Sequence, residues 1–457
     1  MQKTAVINVV GLTKELLGEH TPFLTQWASQ GNISTIKPAL PAVTCTMQSC
    51  YLTGQWPSDH GIVGNGWYFR EECEVKFWKQ SNKLVRSPKI WEVAKKLDPT
   101  FTCTNMFWWY NMYSTVDASA TPRPIYAADG RKFPDCYTYP SELRQELQDE
   151  YGPFPLFDFW GPKTSIRSSK WIAQASKKLE EKKPATLTLM YLPHLDYNLQ
   201  RRGPYHPDNA IDLKEIDEVC EDLITFFESR GARVIVLSEY GITPVHNAIS
   251  INRILRQNGY LEIREERGGE ILYAGASSAF AVADHQIAHI YVNDKSKLTK
   301  IRKLIEKIPG IELVLAENDK ALHHLDHPRS GDLIAIADKD SWFTYYYWLE
   351  EHKAPDFART VDIHRKPGYD PVELFVDPKI TFPNLKFLMA MAKKKLGFRY
   401  LLDVIPLDPS LIKGSHGRYT APDQGPLIIS KQKHIFSNER LQSIDVYNVI
   451  LAHLGIG

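Results

Sequence analysis

Hydrophobic positions along the chain follow two alternating rhythms. Short β-branched runs, such as residues 4–10 (TAVINVV), 101–109 (FTCTNMFWW), 185–192 (ATLTLMYL) and 232–241 (ARVIVLSEYG), read as buried strands. Between them, apolar residues recur every three or four positions in residues 21–31, 87–98, 165–184 and 210–231, the signature of amphipathic helices. The alternation predicts a parallel sheet covered by helices on both faces, an α/β fold. Residues 255–345 have a different texture, with strands such as AHIYV and a helix in KSKLTKIRKLIEKIPG. They are expected to form a smaller αβ insertion or cap between a core of residues 1–254 and a closing segment, 346–457, that ends in a helix.

In open parallel sheets ligands gather beyond the carboxyl ends of the strands. Val10, Asp196 and Glu239 are all expected at such ends, from three separate parts of the chain, which predicts one polar site. His194, two residues before Asp196, is expected on the same strand face and in the same site. Bulk composition narrows the partners. A chain of 457 residues with 43% hydrophobic and 24% charged content is an ordinary globular protein, and a net charge of +1 argues against a nucleic-acid polymer as ligand. The apolar run near the amino terminus is too short for a signal peptide or a membrane span, so cytoplasmic residence without membrane attachment is expected. The 6 cysteines form no CxxC pair and are expected as reduced thiols.

The stretch 40–65, LPAVTCTMQSCYLTGQWPSDHGIVGN, carries the most chemistry. Thr44 sits just before a predicted helix, where free backbone amides and the positive dipole end suit a phosphate. A threonine there is equally a helix cap. The surrounding pattern tips the balance: Thr44, Thr53-Gly54, Pro57 with His60-Gly61-Ile62, and Asn65 stand in a fixed order, followed by Asp196, Ser238 and Ser415-His416-Gly417. This series resembles the nucleotide pyrophosphatase/phosphodiesterase branch of the alkaline phosphatase superfamily. The resemblance implies an alkaline-phosphatase-like three-layer sandwich with a mostly parallel central sheet. It implies Thr44 as nucleophile and Asn65 as a donor to the phosphoryl group, with a small-molecule phosphoester as substrate.

The metal positions depart from the family. Two zinc ions are held there by an Asp/His/His group and an Asp/Asp-His group. Here those positions read Asp196, Gln200 and His416, and then Val10, Glu239 and Tyr240, with Asn8 able to face the same way as Val10. Asp196, Glu239 and His416 are therefore the candidate metal ligands, and Asn65, His194 and Tyr240 the candidate substrate contacts. An oxygen-rich set of this kind points to one divalent ion (zinc, manganese or magnesium) rather than two zincs. The expected function is a phosphodiester or pyrophosphate hydrolase with an altered metal site. Two alternatives stay open: other chemistry on a phosphorylated or sulfated small molecule with one metal or none, and a non-catalytic phospho-ligand-binding protein. The aromatic runs 107–113 and 342–348 are expected as core, with a pocket lining as the alternative.

Overall fold

The computed structural model describes residues 1–128, 131–398, 400–437 and 439–456. Its centre is a nine-stranded sheet. The strands are β1 (Thr4–Val9), β2 (Asn32–Lys37), β3 (Cys103–Met106), β4 (Ala118–Pro122), β5 (Cys136–Tyr139), β6 (Leu187–Leu192), β7 (Arg233–Leu237), β8 (Leu427–Ser430) and β9 (Leu441–Gln442). In space they run β9-β2-β8-β7-β1-β6-β3-β4-β5. The middle of the sheet is parallel: β1 pairs with both β6 and β7, β6 with β3, and β3 with β4. Antiparallel pairing is confined to β8, which joins β7 to β2, and to the far edge, where β5 pairs β4. Every residue of β1 and β6 is buried, which is why both read as continuous apolar runs rather than alternating ones.

Helices cover both faces. Those that matter here are α1 (Thr44–Thr53), α2 (Arg167–Lys182), α3 (His194–Arg202), α4 (Asn209–Ser229) and α5 (Pro383–Lys395). In α4 the buried positions Leu213, Ile216, Cys220, Leu223, Ile224 and Phe227 keep a three-to-four spacing and form one stripe against the sheet. Each such leucine, isoleucine or phenylalanine contributes roughly 1.5–3 kcal/mol by leaving water. A second, four-stranded sheet is antiparallel throughout and lies between Ala279 and Ala337, within the stretch whose texture differs. Its first hairpin turns at His285, whose φ of 61° places a non-glycine residue in the left-handed region. Among the described residues no helix is long and apolar enough to cross a membrane.

One expectation fails at the element level. The chain leaves β6 at Leu192, and His194 begins helix α3 instead of continuing the strand. Asp196 thus lies in the first turn of a helix. On a helix, residues two apart face different ways, so His194 and Asp196 part company.

Candidate active site

Three chain reversals bring the polar residues together at the carboxyl edge of β1, β6 and β7. Val43 is extended (φ −132°, ψ 158°), and α1 starts at the next residue, which sets Thr44 in the first turn among unpaired backbone amides. Its Oγ1 lies 3.3 Å from the Tyr240 hydroxyl. That hydroxyl donates to Asp196 Oδ1 at 3.1 Å. The other carboxylate oxygen, Oδ2, accepts from Gln200 Nε2 at 2.8 Å. Thr44, Tyr240 and Asp196 therefore form a continuous line of oxygens, all buried. On the opposite side Asn65 Oδ1 accepts from the Cys45 N–H at 3.0 Å, while Asn65 Nδ2 donates to Asp284 Oδ1 at 3.1 Å. The second hydrogen of that amide is left for a ligand.

Glu239 lies on the other side of Thr44, which hydrogen-bonds to it. Its Oε1 accepts from Asn8 Nδ2 at 2.5 Å and from Gln48 Nε2 at 2.6 Å. The register explains the first contact: Asn8 stands opposite Leu237 of β7, two residues before Glu239. Three buried atoms face the site without a protein partner: Glu239 Oε2, Asn8 Oδ1 and His416 Nε2. Burial dominates the charge states. It pushes Asp196 up to about 7 against the bonds from Tyr240 and Gln200. It likewise pushes Glu239 up to about 8. Tyr240 is raised far above the ordinary phenol range, so it stays protonated and donates.

A column of rings backs this floor. Tyr240 stacks on His416 with centroids 3.5 Å apart, His416 meets His285 at 3.7 Å, and His285 stacks on Tyr369 at 3.6 Å. His416 is fixed from behind by its Nδ1, 2.8 Å from the Ala42 carbonyl. Above the column opens a cavity of about 400 Å³, with Thr44, Asp196, Tyr240 and His285 at its base.

Of the residues singled out in the sequence, the structure gathers Thr44, Asn65, Asp196, Glu239, Tyr240 and His416. His194 it turns away. The imidazole lies 3.3 Å from Asp212 and 3.2 Å from Glu215, and it pins α3 to α4 without lining the cavity. Burial alone would lower this imidazole, but the two carboxylates raise it, so the pair reads as an ion-paired strut. Residues 362–371, a charged segment, take separate roles. Lys366 is buried between Asp370 and Glu373, Arg365 pairs with Asp356 outside, and His364 borders the cavity. The run 342–348 is core, with Trp342, Tyr345, Tyr346, Tyr347 and Trp348 buried. From 107–113, Trp109 reaches the cavity wall. Gln48, Asp284, His285 and Tyr369 are site residues that local patterning does not single out as a set. An adjacent Asp284-His285 pair was the one visible signal for two of them.

The α/β body with its large, mostly parallel central sheet has an alkaline-phosphatase-like fold. The family described as type I phosphodiesterase / nucleotide pyrophosphatase matches residues 4–370, and the chain belongs to that family of hydrolases. A similar curated protein is an uncharacterised pyrophosphatase/phosphodiesterase of Schizosaccharomyces pombe, 23% identical over 241 residues. That match covers 51% of this chain and 42% of that relative, so the aligned stretch spans less than half of the yeast protein. Among solved structures, an inactive form of murine ectonucleotide pyrophosphatase / phosphodiesterase 5 in complex with AMP superposes with a TM-score of 0.61 at 14% identity, covering 100% of this chain and 96% of that one. Phosphonoacetate hydrolase from Sinorhizobium meliloti in complex with phosphonoformate gives 0.62 at 14% identity, covering 100% and 95%.

The donor set does not fit two zinc ions. His416 lies beside Asp196, at 3.9 Å, and Val10, Gln200 and Tyr240 offer a buried valine, an amide and a protonated phenol in place of carboxylate and imidazole ligands. Gln200 and Tyr240 each donate to one oxygen of Asp196, taking one lone pair on each. Among the described residues, the donor atoms of Asp196, Glu239 and His416 do not draw together within 4.8 Å, whereas those of His194, Asp212 and Glu215 do.

Proposed function

We propose that this chain hydrolyses a small-molecule phosphodiester or pyrophosphate, with Thr44 as nucleophile activated by Asp196 through Tyr240. The observation that carries this reading is the line of oxygens from Thr44 to Tyr240 to Asp196, at 3.3 and 3.1 Å. In the attack, the Thr44 Oγ–P bond forms as the bond from phosphorus to the leaving oxygen breaks. The Thr44 proton passes to the Tyr240 oxygen, and the Tyr240 proton passes to Asp196. Burial tunes Asp196 to about 7, a value suited to a base at neutral pH. The start of α1 and the free hydrogen of Asn65 face the phosphoryl oxygens, where negative charge builds. Asp196, through Tyr240, returns that proton to the leaving oxygen. Water then attacks the phosphorus of the Thr44 ester, its proton passes to the departing Thr44 oxygen, and a phosphomonoester is released.

A second reading is favoured by the unpartnered His416 Nε2 beside Asp196. These two residues would hold one divalent ion, with Glu239 in reserve on the other side of Thr44, and the ion would offset charge on the phosphoryl group. Elemental analysis of the purified protein, paired with turnover of bis(4-nitrophenyl) phosphate by Tyr240→Phe and Thr44→Ala, separates the two. The relay predicts a loss of about 10²–10⁴-fold in Tyr240→Phe and a deeper loss in Thr44→Ala, with activity that survives chelation. One ion per chain, lost in Asp196→Ala, with Tyr240→Phe fully active would establish the second reading. Two zincs per chain would overturn both.

A further inference from the structure

The phosphoryl floor takes up only the base of the cavity. Its walls come from separate parts of the chain and are overwhelmingly hydrocarbon. Trp78 and Trp109 meet with centroids 4.9 Å apart, and Trp160 leans on Tyr369 at 5.7 Å, so an aromatic wall continues upward from the ring column. Above it Leu156, Phe159, Phe387, Met391, Leu402 and Val404 close the space. Four of these six lie beyond residue 370, outside the stretch shared with the family.

Several polar groups of the walls are already engaged, while the Trp109 Nε1 and the Tyr197 hydroxyl have no partner. Gln80 Oε1 accepts from Thr121, Trp160 Nε1 donates to Glu373, and the Tyr369 hydroxyl bonds Gln200. A polar ligand enclosed by such walls would lose most of its water without replacement, at a cost in affinity. Three cations also border the cavity: Arg123, Lys132 and Lys163. Among the described residues none has a carboxylate within ion-pairing distance, and Lys132 and Lys163 lie over the Tyr126 and Phe387 rings instead. The same α5 that supplies Phe387 and Met391 turns other apolar residues outward. Phe382, Leu385, Leu388, Met389, Leu396 and Phe398, on the helix and its flanks, are 53–72% exposed.

We propose that the substrate is an amphiphile, a phosphoester carrying a long hydrocarbon chain. The phosphoryl group sits over Thr44, the chain fills the cavity, and any excess length leaves along the apolar surface of α5. The cations between the hydrocarbon walls favour a ligand that is anionic at one end and oily at the other. This inference rests on the phosphoryl site of the proposed function but not on its chemistry.

The test is therefore a binding series read by the tryptophans of the cavity wall, using n-alkyl phosphates from ethyl to dodecyl below their micelle-forming concentrations, with AMP alongside. Affinity is expected to rise about two- to fourfold per methylene until the cavity is full, then to level off. The double variant Phe387→Ser/Met391→Ser, checked for an unchanged thermal transition, is expected to flatten that slope. A slope persisting in a protein that fails to turn over bis(4-nitrophenyl) phosphate would remove the hydrolase reading and leave this one standing. A flat series, or AMP binding more tightly than decyl phosphate, would overturn it in wild-type protein without recourse to any variant.

Discussion

Asn65 works at both ends of its amide, with the carbonyl oxygen on the first turn of α1 and the nitrogen on Asp284. Substituting it removes the donor that the proposed mechanism sets against the phosphoryl group and loosens the start of α1. Asn65→Ala is expected to cost about 10²–10³-fold in kcat, measured with a saturating diester substrate. Aspartate at this position would keep the shape but set a carboxylate against Asp284, which burial already raises to about 6. At this scale much of the site was legible. Thr44, Asn65, Asp196, Glu239, Tyr240 and His416 sit at motif positions that the family resemblance picks out, and the structure brings them together. Gln48 and Tyr369 were not legible, because each reaches the site only through contacts between elements far apart in sequence. His194 was misjudged for a local reason, since its direction depends on whether residue 194 belongs to a strand or a helix.

The same error is visible in the element itself. Pro193 at the helix boundary and Asp196 in the first turn are start signals for α3, yet His194 and Asp196 follow a strongly apolar strand and read as its end. By contrast β1, β6, β7 and α4 announced themselves, because a central parallel strand or a long amphipathic helix shows one unbroken period. The end of α1 makes a prediction at this scale. Gly54 closes the helix with φ 64°, its N–H bonding back to Cys50, and a Cβ there would lie 2.9 Å from the Tyr447 ring. Gly54→Ala therefore meets both a backbone penalty and a clash with the last helix of the chain. A loss of roughly 1–3 kcal/mol is expected in urea unfolding, with Thr44 misplaced in proportion.

For the molecule as a whole, buried histidines shape the response to acid. Burial lowers His289 and His453 to about 4 and His60 to about 3. In His289 both ring nitrogens are committed in the neutral form, Nε2 to the Val63 carbonyl and Nδ1 as acceptor for the Gly331 N–H. The unfolded chain takes up these protons near pH 6.5, before the folded chain can. The stability contributed by His289 is therefore full above pH 6.5 and falls as the pH drops through the window to about 4, by up to roughly 3 kcal/mol. The raised carboxylates Asp196, Glu239 and Asp284 act in the opposite sense. Urea midpoints measured across that window should decline less steeply in His289→Gln than in the parent. An unchanged slope in that variant would mean that the ring is protonated in the folded protein.

The column of rings from Tyr240 through His416 and His285 to Tyr369 has a mechanical meaning apart from its chemistry. Spacings of 3.5–3.7 Å are the thickness of one flat ring, so the column accepts at each level any planar group and little else. Position 240 can therefore exchange a phenol for an imidazole without disturbing the stack, whereas a branched aliphatic group would wedge it apart. Tyr240→His is expected to melt within a few degrees of the parent and Tyr240→Leu well below it. Such an interchangeable position lets a lineage alter the group that meets residues 44 and 196 while the scaffold around it stands still.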